Sequence, residues 1–577
     1  MKRFISALCA LLLCVPTLFA VSAETADDLF SDKDLTLADP SEAVDIVLTE
    51  GGVDITEPGV YRLSGQVADG SIRVAPATEG DVWLLLDGVS VHNEDGAALT
   101  SDGCDKLILT LAEGSVNSLT QGSATPAEED NDAAIYVRDD LTINGTGALI
   151  IESAYLDGIN CRDSLRIVSG DITINAVDDG LVGKDEVTIG GGTITINAQT
   201  GDGIKSTNAE DADRGFVTIA GGTLTITTGE GSASVSQTSS DGWGDWQQQA
   251  EEDTPSQKGV KAETTLTISG GTFSIDSVDD ALHAVDVSIS GGELTLATGD
   301  DGVHADNTLT VSGGAITVTR SYEGLEGTDV TLSGGEISIT SSDDGINGAG
   351  GDSATTSDEG TFGASGRFGR DRFASSTGTV RISGGIIFVD ASGDGVDVNG
   401  DLEMTGGELY VNGPESGGNG ALDYDGSFTL TGGTVVAVGS AGMAQGVSDP
   451  AIPGTVMNAS GSGTLEVLDS AGNALVHFES LRSYSHIVIY SDRFTDSETY
   501  TLTIGTDSQS VQMTTDSTGG MGFGGGRGGF DGGRGGRGET PETMPEGGSG
   551  ERPARDPAAA PESAPPEGES ESGDGKL

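Results

Sequence analysis

VDDGLVGKDEVTIGGGTITINA, from Val177 to Ala198, holds one unit of the pattern that decides the fold: an Asp-Asp-Gly step, a short apolar strand, a Gly-Gly turn and a second strand alternating Ile with Thr and Asn. The unit returns as VDDALHAVDVSISGGELTLAT from Val278, GDDGVHADNTLTVSGGAITVTR from Gly299 and YEGLEGTDVTLSGGEISITS from Tyr322. Step glycines Gly158, Gly180 and Gly203 stand 22 and 23 residues apart, and Ala281, Gly302, Gly324 and Gly345 follow at intervals of 21, 22 and 21. A period of that length carrying β-branched residues in alternation predicts an all-β chain, a right-handed parallel β-helix of about 12 coils with roughly 22-residue repeats. Leucine-rich repeats require a leucine and asparagine framework that these units lack, and helical repeats require longer stretches of 3.6 period.

The unit explains itself physically. In pairs such as Leu294 and Leu296, or Ile337 and Ile339, apolar side chains alternate with Ser and Thr, so one face fills a core and the other meets solvent. Glycines at the turns admit positive φ and close approach between coils. A single coil cannot bury its apolar face, so stability must come from stacking.

Working outward, residues 1–23 read as a signal peptide: Lys2 and Arg3, an apolar run from Phe4 to Val21, then small residues before Glu24. The mature chain is expected to be secreted or at the cell surface, with no transmembrane segment after signal removal. Residues 24–44 read as an acidic linker, 45–130 as an N-terminal cap with the first coils, and 131–454 as the regular stack, with inserts near 229–256 and 349–376. Residues 455–515 are expected to close the far end, leaving the helix capped at both ends, and the Gly/Arg/Pro-rich 516–577 to be a disordered tail. Cys104 and Cys161, the cysteines left after signal removal, fall in different columns about two coils apart and are expected to be free and buried.

With 92 Asp plus Glu against 27 Lys plus Arg, the formal charge of -65 argues against nucleic acid or an anionic membrane as a direct partner. Any polyanion would need bridging cations.

The chemistry gathers in columns. Asp157, Asp179, Asp202, Asp280, Asp301, Glu323, Asp344 and Asp394 hold one equivalent position, doubled by Asp178, Asp279, Asp300 and Asp343. Carboxylates stacked about 4.8 Å apart repel by roughly 3 to 4 kcal/mol at an effective dielectric of 20, which invites a hard cation, and Ca²⁺ suits such oxygens. The competing expectation is a row of exposed, separately hydrated Asp-Gly turns. Three residues on lies a second column: Asn160, Lys205, Lys261, His283, His304, Glu326, Asn347, Asp397 and Asp423. Facing outward, it would offer hydrogen bonds to the hydroxyls of an extended polymer; the alternative is a solvated face. Trp243 and Trp246, in the first insert, would add a platform for sugar rings or anchor the loop.

The opening GVYRLSGQVADGSIRV, the segment DVWLLLDGVSV and the DDG…TISGGT coils together resemble a carbohydrate-binding domain family of secreted bacterial right-handed β-helices, over roughly residues 45–510. The resemblance implies a shape similar to calcium-dependent pectate lyases, calcium held by Asp residues of the coils, and binding of plant polysaccharides without cleavage. By position the matching acids are Asp178, Asp179, Asp202, Asp279, Asp280, Asp300, Asp301, Asp343 and Asp344; at the coil before Gly259, Lys258 replaces the acid. The expectation is a monomeric, non-catalytic binder of polysaccharide, with metal ligands Asp157, Asp178, Asp179, Asp202, Asp279, Asp280, Asp300, Asp301, Asp343, Asp344 and Asp394. Its substrate contacts would come from Lys205, Trp243, Trp246, Lys261, His283 and His304. The alternatives are a calcium-dependent polysaccharide lyase with Lys205 or Lys261 as base, and a structural or adhesive rod.

Overall fold

A computed structural model describes residues 29–126, 132–236, 256–349 and 378–516. The expected signal peptide, Trp243 and Trp246, most of both inserts and nearly all of the tail lie outside these residues.

The described chain is all-β, 56% strand and 2% helix, arranged as a long parallel sheet consistent with a β-helix. Each unit contributes to three strand lines. In the quoted unit the first line takes Leu181–Gly183, directly after the Asp-Asp-Gly step, the second Glu186–Ile189, and the third Thr193–Ala198 after the Gly-Gly turn. Each pairs in parallel with its equivalent in the next unit: Leu181 with Ile204, Val187 with Val217, Ile194 with Leu224.

Alternation fills the core as expected. Leu294, Leu296, Ile337 and Ile339 are buried, whereas Glu293, Thr295 and Glu336 are exposed. Each fully buried Ile or Leu contributes roughly 1.5 to 3 kcal/mol, and the rows join one continuous hydrophobic cluster from Leu48 to Tyr490.

The turns show why glycine recurs. The second glycine of the Gly-Gly turn has positive φ, +100° at Gly222 and +96° at Gly292, and a Cβ on the first, Gly291, would lie 2.3 Å from the Ser269 carbonyl of the neighbouring coil. Residue 190 departs from the usual Ser or Ala before this turn for a local reason: a Cβ there would sit 2.4 Å from the Phe30 ring.

That contact belongs to the stretch read as an acidic linker, of which Phe30, Asp34 and Ala38 are buried while the residues between them are exposed. Asp34, on a one-turn helix (Asp32–Leu35) capped by Ser31, is buried and bonds Lys106 Nζ at 2.7 Å and the Thr142 hydroxyl. Asn144 donates to the carbonyls of Asp34 and Thr36. Phe30, Asp34 and Ala38 dock this part of the stretch on the second strand line.

In the third line the parallel pattern ends at Thr434–Gly439, which pairs antiparallel with His486–Ser491, while Asp449–Pro450 still pairs in parallel with Phe428–Leu430. A four-stranded antiparallel sheet follows, formed by Ala474–Tyr484, Gly461–Leu468, Thr499–Ile504 and Asp507–Gln512.

Candidate functional site

Backbone bonding aligns the acidic column. The glycine after each acid donates its N–H to the carbonyl of the equivalent residue in the next coil: Gly158 to Asp179, Gly180 to Asp202, Gly203 to Lys258 and Gly259 to Asp280, all at 2.9 Å. The ladder continues through Asp301, Glu323, Asp344 and Asp394, and at its start Asp157 donates its own N–H to the carbonyl of Asp132, one residue before the column in the preceding coil, at 2.9 Å. At Gly180 a side chain would be crowded, since a Cβ there would lie 2.4 Å from Ile196 Cγ2 and 2.5 Å from the Gly203 carbonyl oxygen, whereas Ala281 takes the equivalent step in its own coil.

The carboxylates form a second ladder. One oxygen of each acid accepts the backbone N–H of the next: Asp157 from Asp179 at 3.2 Å, Asp179 from Asp202 at 2.6 Å, Asp202 from Lys258 at 2.8 Å, Asp280 from Asp301 at 3.1 Å and Asp344 from Asp394 at 2.6 Å. These are not hydrated turns on the surface: Asp157, Asp179, Asp202, Asp280, Asp301 and Asp343 are buried, while of the flanking acids Asp178 and Asp279 are half-buried and Asp300 is exposed. Strand stacking brings Oδ1 onto a neighbouring coil's N–H and so draws the carboxylate inward.

The second oxygen meets the other column, whose register runs without slip: Asn160, Val182, Lys205, Lys261, His283, His304, Glu326, Asn347, Asp397 and Asp423 pair in succession. These side chains are buried or half-buried, and several point back to the acids. Asn160 donates to Asp157 at 2.9 Å, and Lys205 Nζ stands 3.2 Å from Asp179 and 3.3 Å from Asp202. His283 Nδ1 lies 2.9 Å from Asp280, and His304 Nδ1 lies 3.1 Å from Asp301. Lys261 pairs instead with Glu263 at 3.4 Å. Lys258 reaches across to Asp279 and Asp280, each at 2.7 Å, and supplies internally the positive charge those acids require.

Charge is therefore unevenly compensated along the column. In its middle, the His283 bond and the Lys258 charge overcome the burial that would raise Asp280, and hold it well below the carboxylate range. At the two ends acids face acids. Burial and then the Asp179 charge push Asp157 up to about 8; burial and then Asp394 push Asp344 up to about 9; Asp394 is raised to about 7, with burial the chief cause. Carboxylate oxygens of Asp157, Asp178 and Asp179 come within 4.8 Å of one another, as do those of Asp344, Asp394 and Asp397. No ion pair among the described residues engages Asp344, Asp394 or Asp397. Asp397, read from sequence as part of the outward column, thus belongs to an acid cluster, a placement set by side-chain direction rather than by period.

Cys104 and Cys161 are free and buried, and burial pushes both thiols up to about 12.

Residues 49–302 match the family model described as carbohydrate-binding domain-containing protein. A protein of that description from Acetivibrio thermocellus is 36% identical over 149 residues, which are 25% of this chain and 51% of the relative, so the chain spans about half the length of the curated relative it matches. A solved structure of a polysaccharide lyase-like protein from C. thermocellum, a gadolinium derivative, aligns at 27% identity with a TM-score of 0.34, over 46% of this chain and 96% of the other. Residues 49–302 therefore carry the match to the carbohydrate-binding domain family that the opening segments and Asp-Gly coils resemble.

Proposed function

We propose that the chain is a secreted, non-catalytic protein that binds an extended polysaccharide along a calcium-stabilised β-helix. The observation that carries this reading is the family match over residues 49–302. The unbroken register from Asn160 to Asp423 supports it, because a polymer with a regular repeat is best met by groups at a regular spacing, here about 4.8 Å per rung.

The acid clusters fit a hard cation. Three carboxylates held within 4.8 Å and partly buried leave oxygen lone pairs converging on one point, with no ion pair to Asp344, Asp394 or Asp397 among the described residues but with Lys205 on Asp179 in the other set. Asp344, Asp394 and Asp397 form the stronger set; Asp157, Asp178 and Asp179 form the second. Bound Ca²⁺ would neutralise these sets and offer positive charge to sugar carboxylates, which fits acidic cell-wall polysaccharide better than neutral glucan.

Of the two lysines that could act as a lyase base, Lys205 is poorly suited. Burial would lower the Lys205 pKa, but Asp179 and Asp202 outweigh it and hold the ammonium charged, the wrong state for abstracting a proton.

Affinity electrophoresis of the full chain tests the proposal, in gels cast with polygalacturonate, a soluble cellulose derivative or a neutral control, with Ca²⁺ or chelator. Calcium-dependent retardation by polygalacturonate without shortening of the polymer is expected. Unchanged mobility in every gel would favour the structural rod, and polymer shortening would favour the lyase.

A further inference from the structure

His304 stands at a different kind of site from the all-oxygen clusters. Its Nδ1 lies 3.1 Å from Asp301 Oδ2 and 2.8 Å from Glu326 Oε2, so two carboxylates from different coils converge on one ring nitrogen. Its Nε2 faces Asp306 Oδ1 at 3.4 Å. The neighbouring coil's His283 ring stacks on it at 4.8 Å and 28°, and is itself tied to Asp280, which Lys258 also holds. One Nδ1–H cannot serve two carboxylates in full, whereas a cation at their meeting point serves all three atoms.

We propose that His304, Asp301 and Glu326 form a site for one divalent transition-metal ion of the Zn²⁺ class, separate from calcium. Imidazole nitrogen selects such an ion over Ca²⁺. Ligand atoms on a tetrahedral ion with bonds of 2.0 to 2.1 Å stand about 3.3 Å apart, so the observed 2.8 and 3.1 Å require movements of only a few tenths of an ångström. Asp306 occupies the place of the carboxylate that receives the other ring N–H of a metal-bound histidine, fixing the tautomer that leaves Nδ1 free. The His304 side chain retains 19% exposure, leaving a path and a coordination position for water. This reading takes Asp301 out of the calcium set and His304 out of the sugar-contact set, and it does not depend on carbohydrate binding.

The test titrates Co²⁺, a spectroscopic stand-in for Zn²⁺, into full chain stripped by chelator and resaturated with Ca²⁺. One Co²⁺ per chain should bind at about micromolar strength, with visible ligand-field absorption that Zn²⁺ abolishes. His304→Gln should weaken binding by at least about 100-fold and Asp306→Asn by about 10-fold, with His283→Gln within about 3-fold of wild type. Circular dichroism checks folding, and Glu326→Gln replaces His304→Gln should the latter not fold. Wild-type binding weaker than about 100 µM, or a Co²⁺ spectrum and affinity unchanged in His304→Gln or Glu326→Gln, would overturn the proposal.

Discussion

Replacing Asp394 by Asn should have opposite effects with and without calcium. Asp394 shares a cluster with Asp344 and Asp397 whose oxygens lie within 4.8 Å of one another, and its Oδ1 accepts the Gly420 N–H. Two ionised carboxylates at that separation repel by about 3.5 kcal/mol at an effective dielectric of 20, so the two pairs made by Asp394 reach about 7 kcal/mol if all three are charged. Protonation within the cluster relieves much of this, and a gain of about 1 to 3 kcal/mol in chelator is the net expectation. Asn keeps the Oδ1 acceptor, so the backbone ladder survives. In calcium the same change removes a charged ligand and should destabilise by a similar amount. Stacked coils need not unfold together, so the local readout is hydrogen exchange at the Gly345 and Gly395 amides, which bond the Asp394 and Gly420 carbonyls. Slower exchange than wild type in chelator and faster in calcium is the expected result. A shift of the same sign in both conditions would refute the reasoning.

Other residues give separate tests. Lys205→Met leaves fully buried Asp202 without its counter-charge and should destabilise the protein by about 3 kcal/mol, read as a lower denaturation midpoint without calcium. Gly180→Ala drives a methyl into Ile196 and the Gly203 carbonyl, so exchange should rise in the adjoining coils by the equivalent of about 1 to 3 kcal/mol. Gly190→Ser should displace Phe30, with limited proteolysis showing faster cleavage within residues 29–43. Burial alone would raise the Asp34 carboxyl, but bonds from Lys106, Ser31 and Thr142 bring it from 3.8 down to about 2. It therefore contributes about 2 to 3 kcal/mol that is fully present above pH 4 and lost as pH falls from about 4 towards 2, a decline that Asp34→Asn should flatten in denaturation curves taken across that range.

The repeat was legible because every coil spells its own turns. Asp-Gly and Gly-Gly steps at constant spacing identify residues that must stack, and the Lys258 interruption shows in the same register. Period alone could not give side-chain direction. Asp202 and Asp280 read equally well as surface turn residues until the neighbouring N–H groups drew them inward, and His304 read as a sugar contact until Asp301, Asp306 and Glu326 were seen around its ring. Docking of Phe30 and Asp34 was hidden for a related reason: a short, non-repeating segment among acids carries no period, and its partners lie between 72 and 110 residues away for Asp34 alone.

The central claim meets its most direct test in calorimetric titration of the full chain with polygalacturonate oligomers, once in Ca²⁺ and once in chelator, followed by ultraviolet assay of the same samples for unsaturated products. The account predicts saturable binding in calcium, its loss in chelator and no unsaturated product. Calcium-independent binding would contradict the role given to the ion, and product formation would contradict the non-catalytic assignment.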